Sequence, residues 1–204
     1  MTVDTTWRTG VWKQFGAAID MLENAMHACP DELWRDRSQR PEFWYLVYHT
    51  LFWLDYYLSD SSDGFVPPAP FTLDELDPAG LLPERPYTKA ELQSYLGHGR
   101  TKCRATIEAL TDEKARRRCG FERLDMSVLE LLLYNMRHVQ HHAAQLNLIL
   151  RQQVDAVHDL PFFGFAGVAD LDHEHEAVEL RLGELKRAFL FDGILRGKHQ
   201  EWIR

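Results

Sequence analysis

The chain has 204 residues, 45% of them hydrophobic and 12% aromatic, and carries a formal net charge of −8. That apolar content suffices for a proper core over most of the chain and excludes a disordered protein. The acidic balance argues against nucleic acid as a partner: the densest basic cluster, "KARRR" at Lys114 to Arg118, reads as the solvated C-terminus of a helix.

Three separated cysteines, Cys29, Cys103 and Cys119, fit neither a disulfide framework nor a CxxC pair, and none has a neighbour that would activate it. No charged segment followed by an apolar run opens the sequence, and no apolar stretch reaches about 18 residues. A cytoplasmic protein with no membrane association is therefore expected.

Almost nothing in the sequence alternates with the period of a strand, and long segments follow the helical period. Helix one is expected from Thr6 to about His27, with Trp12, Phe15, Ile19, Leu22 and Met26 on one stripe and Pro30 beyond its end. "CPDELW" reads as a short helical turn with Asp31 and Glu32 near its start. Pro41 suits a first-turn position, and "PEFWYLVYHTLFWLDYYLS" follows it as helix two. Its apolar residues lie on nearly every side, which marks a buried helix.

Ser59 to Tyr87 is a long, proline-rich connection expected to wrap the surface. Thr88 and Glu91 form a capping box that opens helix three, which is expected to run to about Cys119 with Gly120 at its C′ position. Ser127 and Glu130 form a second box that opens helix four, running to about Gln153. Beyond it, "DLPFFGFAGV" is apolar but broken by glycine and proline, and "HEAVELRLGELKRAFL" is helical again. The fold expected is an all-α four-helix bundle over residues 1–155, with one long crossover loop. A helix-containing C-terminal extension over 156–204 is expected to pack on the same domain.

The stretch "RHVQHHAAQLN" sets His138, His141 and His142 in the middle of helix four. An α-helix advances about 100° per residue. With His138 at zero, Val128, Leu131, Leu132, Val139, Leu146, Ile149 and Leu150 cluster near about 80°. His142 falls inside that apolar sector, His138 at its edge, and His141 about 140° from its centre. His138 and His142 therefore face the bundle and His141 faces solvent. An i, i+4 pair can bind one metal ion from one helix face, although the spacing alone also fits two core histidines hydrogen-bonded to backbone or carboxylates.

Helix two offers His49 among Leu46, Phe52, Trp53 and Tyr56. Bundles build sites from side chains on facing helices, and three imidazoles would leave ligand positions open for water or substrate. Imidazole suits zinc, nickel, iron or copper. The acidic "DHEHE" at Asp172 to Glu176 reads as a solvated helix start, and His27, His98, His158 and His199 stand apart from any pattern.

"WYLVYHTLFWLDYYL", followed about ninety residues later by "RHVQHHAAQLNLILR", resembles the DinB-like superfamily of metalloenzymes. "CPDELWRDRSQRPEFW" is similar to that family's link between its first two helices. The likeness covers roughly the first 155 residues. Its pattern commonly reads HxxxHRGQ; here His138, His142 and Gln145 match, Ala143 and Ala144 replace the arginine and glycine, and His49 matches the family's lone histidine. The resemblance implies a four-helix bundle with a divalent ion, zinc or nickel foremost, on His49, His138 and His142. Characterised relatives include transferases and isomerases that use low-molecular-weight thiols.

The expected function is a metal-dependent thiol transferase or hydrolase acting on small electrophiles, with Gln145 and Tyr45 or Tyr56 as helpers near the site. A non-catalytic metal-binding bundle acting through a protein partner is the alternative. The aromatic-rich helices and the apolar tail also make a homodimer plausible.

Overall fold

A computed structural model describes residues 5–153, apart from residues 39, 60 and 81. The expected C-terminal extension, its boundary near residue 155, the "DHEHE" segment, His158 and His199 lie outside the described residues. The elements are α1 (Thr5–Ala28), α2 (Asp31–Arg35), α3 (Phe43–Tyr57), α4 (Lys89–Glu108), α5 (Asp112–Arg116) and α6 (Val128–Gln153). A single 3₁₀ turn, Asp74–Leu76, interrupts the long crossover. Among the described residues there are no strands; two isolated bridges, Ser61 with Gly120 and Arg118 with Ser127, tie segments together near α5.

The four long helices form the expected bundle. α1 packs on α4 and α6, and α3 packs on the same two, so α1 and α3 lie diagonally across the core. Phe15, Ile19, Leu22 and Met26 of α1 are fully buried, as the stripe on helix one requires. α3 is buried on almost every side because two long helices and the crossover all cover it. Within it, Tyr45, His49, Trp53 and Tyr57 are the residues that retain appreciable exposure. They recur every fourth position and form one row.

Three expectations are corrected. Pro41 does not sit in the first turn of α3: the helix begins at Phe43, with Glu42 at the N-cap. Glu42 is buried there, accepting from Trp44 Nε1 at 2.6 Å and pairing with Arg37 Nε at 2.6 Å. Helix three does not run unbroken to Cys119. α4 ends at Glu108, where the Arg8 guanidinium donates to the carbonyls of Glu108 and Leu110. The Thr111 hydroxyl then accepts from Lys114 N and starts α5 anew. Gly120 is consequently not a C′ residue but a bridge partner of Ser61. The two capping boxes form as expected, Thr88 with Glu91 and Ser127 with Glu130.

The crossover does more than wrap the surface. Phe71 stacks on Tyr95 with ring centroids 4.3 Å apart, and the Tyr48 hydroxyl donates to the Thr72 carbonyl at 3.1 Å. A polar cluster also crosses the core between α3 and α4. Asp55 is 1% exposed and accepts from Lys102 Nζ at 2.5 Å and the Tyr95 hydroxyl at 3.1 Å, with His98 Nε2 at 3.3 Å. A buried carboxylate is tolerated only when it is paired and hydrogen-bonded. Replacing Lys102 with Met is expected to lower unfolding free energy by about 2–4 kcal/mol in urea titration, because Asp55 loses its charge partner. A change under about 0.5 kcal/mol would mean that the pair is dispensable.

Candidate metal centre

The site forms where α3 lies against α6. Tyr57 touches Tyr134 and His138, with ring centroids 5.5 Å and 6.4 Å away, while His49 lies 4.9 Å from His142. The C-terminal end of α3 therefore meets the N-terminal half of α6, and the two helices run antiparallel. The row Tyr45, His49, Trp53, Tyr57 faces the row Tyr134, His138, His142. Both rows advance by four residues, the inclined ridge by which helices commonly interlock.

His49, His138 and His142 each present a ring nitrogen to a common point, and these atoms lie within 4.8 Å of one another. Among the described residues this is the one group of three or more candidate ligands so placed. Nε2 of His138 and Nε2 of His142 are 3.1 Å apart. The outer nitrogens are held from behind. Nδ1 of His49 lies 2.7 Å from Oε2 of Glu75, which also accepts from Trp53 Nε1 at 3.0 Å. Nδ1 of His142 lies 2.6 Å from Oε1 of Gln145.

Those partners fix the tautomers. An ionised carboxylate and an amide oxygen only accept, so the ring protons of His49 and His142 sit on Nδ1 and their Nε2 lone pairs point into the site. Two facing lone pairs need either a proton or a cation between them. If His138 Nε2 supplies the proton, its Nδ1 becomes a buried acceptor, and that atom has no hydrogen-bond partner. An unpaired buried polar atom is costly. A cation shared by the three Nε2 atoms removes the need for a proton between His138 and His142, and His138 Nδ1 stays without a hydrogen-bond partner in either case. The donor set thus fits a metal ion that accepts nitrogen ligands.

Burial favours the neutral form of His138 and His142, the form in which histidine binds a metal. It depresses His138 from the ordinary 6.5 to about 3, helped by the neighbouring His142, His49 and His141. His142 is lowered too, mainly by burial, although its bond to Gln145 works in the opposite direction. Burial alone would raise Glu75, but hydrogen bonds and charge from His49, with bonds from Tyr45 and Trp53, hold its carboxyl below the usual range. Tyr45 is pushed up by burial and by Glu75, and Tyr57 by burial and by Tyr134.

Other expected features divide clearly. His141 is exposed and outside the group, its ring 5.1 Å from that of His142. Gln145 and Tyr45 lie at the site. Tyr56 does not: it packs inward on Phe65 and Phe121, and Tyr57 takes the place beside His138. The three cysteines are buried and free, with Cys29 pushed up to about 12 by burial. His27 is exposed at the end of α1. Glu75, Trp53 and Tyr57 were missed as site residues. Trp53 and Tyr57 share the four-residue row of His49, which was a usable signal; Glu75 has none, because it comes from an irregular segment 26 residues beyond its partner.

A family model described as the DinB superfamily matches residues 14–146, a span that includes all three histidines, Glu75 and Gln145. The chain belongs to the DinB superfamily. Proteins of this superfamily commonly bind metal, which agrees with the donor set. Neither the curated proteins nor the solved structures give a match. Among the described residues no helix is long and apolar enough to cross a membrane.

The depressed histidines set a pH dependence for the metal-free protein. In the unfolded chain they protonate near 6.5, whereas the folded protein resists protonation, so acid favours unfolding. Stability should hold above that value and fall as pH drops from 6.5 toward 3, the lower limit being that of His138. Glu75 adds its own loss at lower pH, below its ordinary 4.5. Thermal midpoints measured between about pH 7 and 5 should decline, and His138→Gln should decline less steeply. Equal slopes for the two proteins would contradict the burial of a neutral His138.

Proposed function

We propose that this DinB superfamily member is a divalent-metal-dependent enzyme, with His49, His138 and His142 as the metal ligands and a small electrophile as substrate. The observation that carries the reading is the convergence of three imidazole nitrogens while Glu75 and Gln145 occupy the outer nitrogens of two of them. Zinc and nickel are the first candidates for an all-nitrogen set. Bound there, such an ion would lower the pKa of a thiol or water and make a nucleophile available at neutral pH.

The chain's own residues hold and shape that chemistry. Neutral imidazoles leave the positive charge of the ion undiminished, and three protein ligands leave room for an exchangeable one. Glu75 and Gln145 fix ring orientation, the kind of support that metal ligands generally need. Tyr45, Trp53, Tyr57 and Tyr134 provide an apolar border for the body of a small substrate. The Arg137 guanidinium, 6.0 Å above the Tyr134 ring, adds a positive group beside that border. A low-molecular-weight thiol is the proposed cosubstrate for a transferase; water in its place makes the same site a hydrolase.

Metal analysis after expression with zinc or nickel should find about one ion per chain. His49→Ala, His138→Ala and His142→Ala should each reduce affinity by about tenfold or more, whereas His141→Ala should not. Less than about 0.1 ion per chain in the wild type would refute the metal site. If the metal binds, thiol consumption against a panel of electrophiles, together with a hydrolysis screen, tests catalysis. No turnover in either would favour a non-catalytic metal-binding bundle.

A further inference from the structure

Among the described residues, Glu75 is the one hydrogen-bond partner of the histidine group that comes from the crossover between α3 and α4. Ordering so long an irregular segment costs conformational entropy, so it needs specific ties. Its first part has apolar ones: Phe65 against Tyr56 at 5.1 Å and Phe71 against Tyr95 at 4.3 Å. At its end Tyr87 is buried, and its carbonyl accepts from Trp34 Nε1 at 3.0 Å.

Between these ties the segment is held at Thr72, whose carbonyl accepts from the Tyr48 hydroxyl at 3.1 Å, and is open beyond it over Leu73 to Gly80 apart from Glu75. Leu73 is 47% exposed and Leu76 37%, so their burial contributes little. From that exposed turn Glu75 sends its side chain inward, to 4% exposure, onto His49 and Trp53. Its second oxygen, Oε1, is buried without a hydrogen-bond partner. The buried carboxylate is held through Oε2 by the His49 ring and the Trp53 indole, with a further bond from Tyr45, while Oε1 stays unsatisfied. A cation one imidazole ring away would compensate it, and the carboxylate would in turn make His49 a stronger donor.

We infer that Glu75 couples metal loading at the three histidines to seating of the crossover segment against α3. This rests on the metal reading above. Loading stabilises the seated segment, and unseating Glu75 weakens the hold on the ion. The coupling is reciprocal, since the two equilibria share one interaction free energy. Residues 72–80 would then act as a strap whose closure reports the state of the site.

The test measures zinc affinity by chelator competition and backbone hydrogen exchange over residues 72–80, with and without zinc, in the wild type, Glu75→Ala and Glu75→Gln. Zinc should slow exchange in the wild-type strap by about tenfold or more, and much less in Glu75→Ala. Glu75→Ala should bind zinc about 10–100-fold more weakly, and Glu75→Gln should recover part of that loss because its amide oxygen still accepts from His49. Zinc binding to the wild type without slower exchange at 72–80 would overturn the coupling while leaving the metal site intact. Equal affinity in Glu75→Ala would do the same. Should Glu75→Ala fail to fold, the wild-type comparison decides by itself. A wild type that takes up no zinc would sink the metal reading, and the strap with it.

Discussion

The seam between α3 and α6 follows an inclined row of side chains on each helix, and the placement of all three histidines depends on it. Successive members of such a row are four residues apart, so each step drifts by about 40° around the helix. Two antiparallel helices that interlock along these ridges bring long, matched rows together. His49 thereby meets both His138 and His142, and Tyr57 meets Tyr134. The remainder of α3 is buried by α4, by α6 and by the crossover, which leaves one row with access to solvent.

The second constraint is electrostatic. Burial suppresses charge on His138 and His142, so the inner surface of the site is made of lone pairs. Among the described residues the buried carboxylate beside it is Glu75, whose Oε2 accepts from Trp53 and faces His49 Nδ1. The site consequently combines the neutral His138 and His142 with the negative charge of Glu75 behind His49. That arrangement attracts a cation and also sets which nitrogen of each supported ring faces it. The Asp55 cluster shows the contrasting solution elsewhere in the same core: there Lys102, Tyr95 and His98 surround the carboxylate, and no polar atom of Asp55 is left over.

Much of this was legible from the residues. Helical phase separated His141 from His138 and His142, and the apolar surround of His49 marked helix two as buried. Both capping boxes and the start of α6 followed from local side-chain chemistry. The errors came where a neighbour overrides local pattern. Helix three was read through Leu110 because its period continues, but Thr111 offers a fresh cap and Arg8 covers the last carbonyls of α4. Tyr56 was preferred as a helper because it lies nearly above His49 on an isolated wheel. The inclined seam selects Tyr57 instead. Glu75 was out of reach, since nothing local in an irregular loop announces which distant ring its side chain will find.

The central claim is that Nε2 of His49, His138 and His142 together hold one ion. Diffraction from zinc-grown crystals, recorded at the zinc absorption edge, tests it most directly. The account predicts one dominant anomalous peak about 2.0–2.1 Å from each of the three Nε2 atoms. A principal peak at a cysteine, at the Nδ1 side of these rings, or at a site that excludes His49 would contradict it.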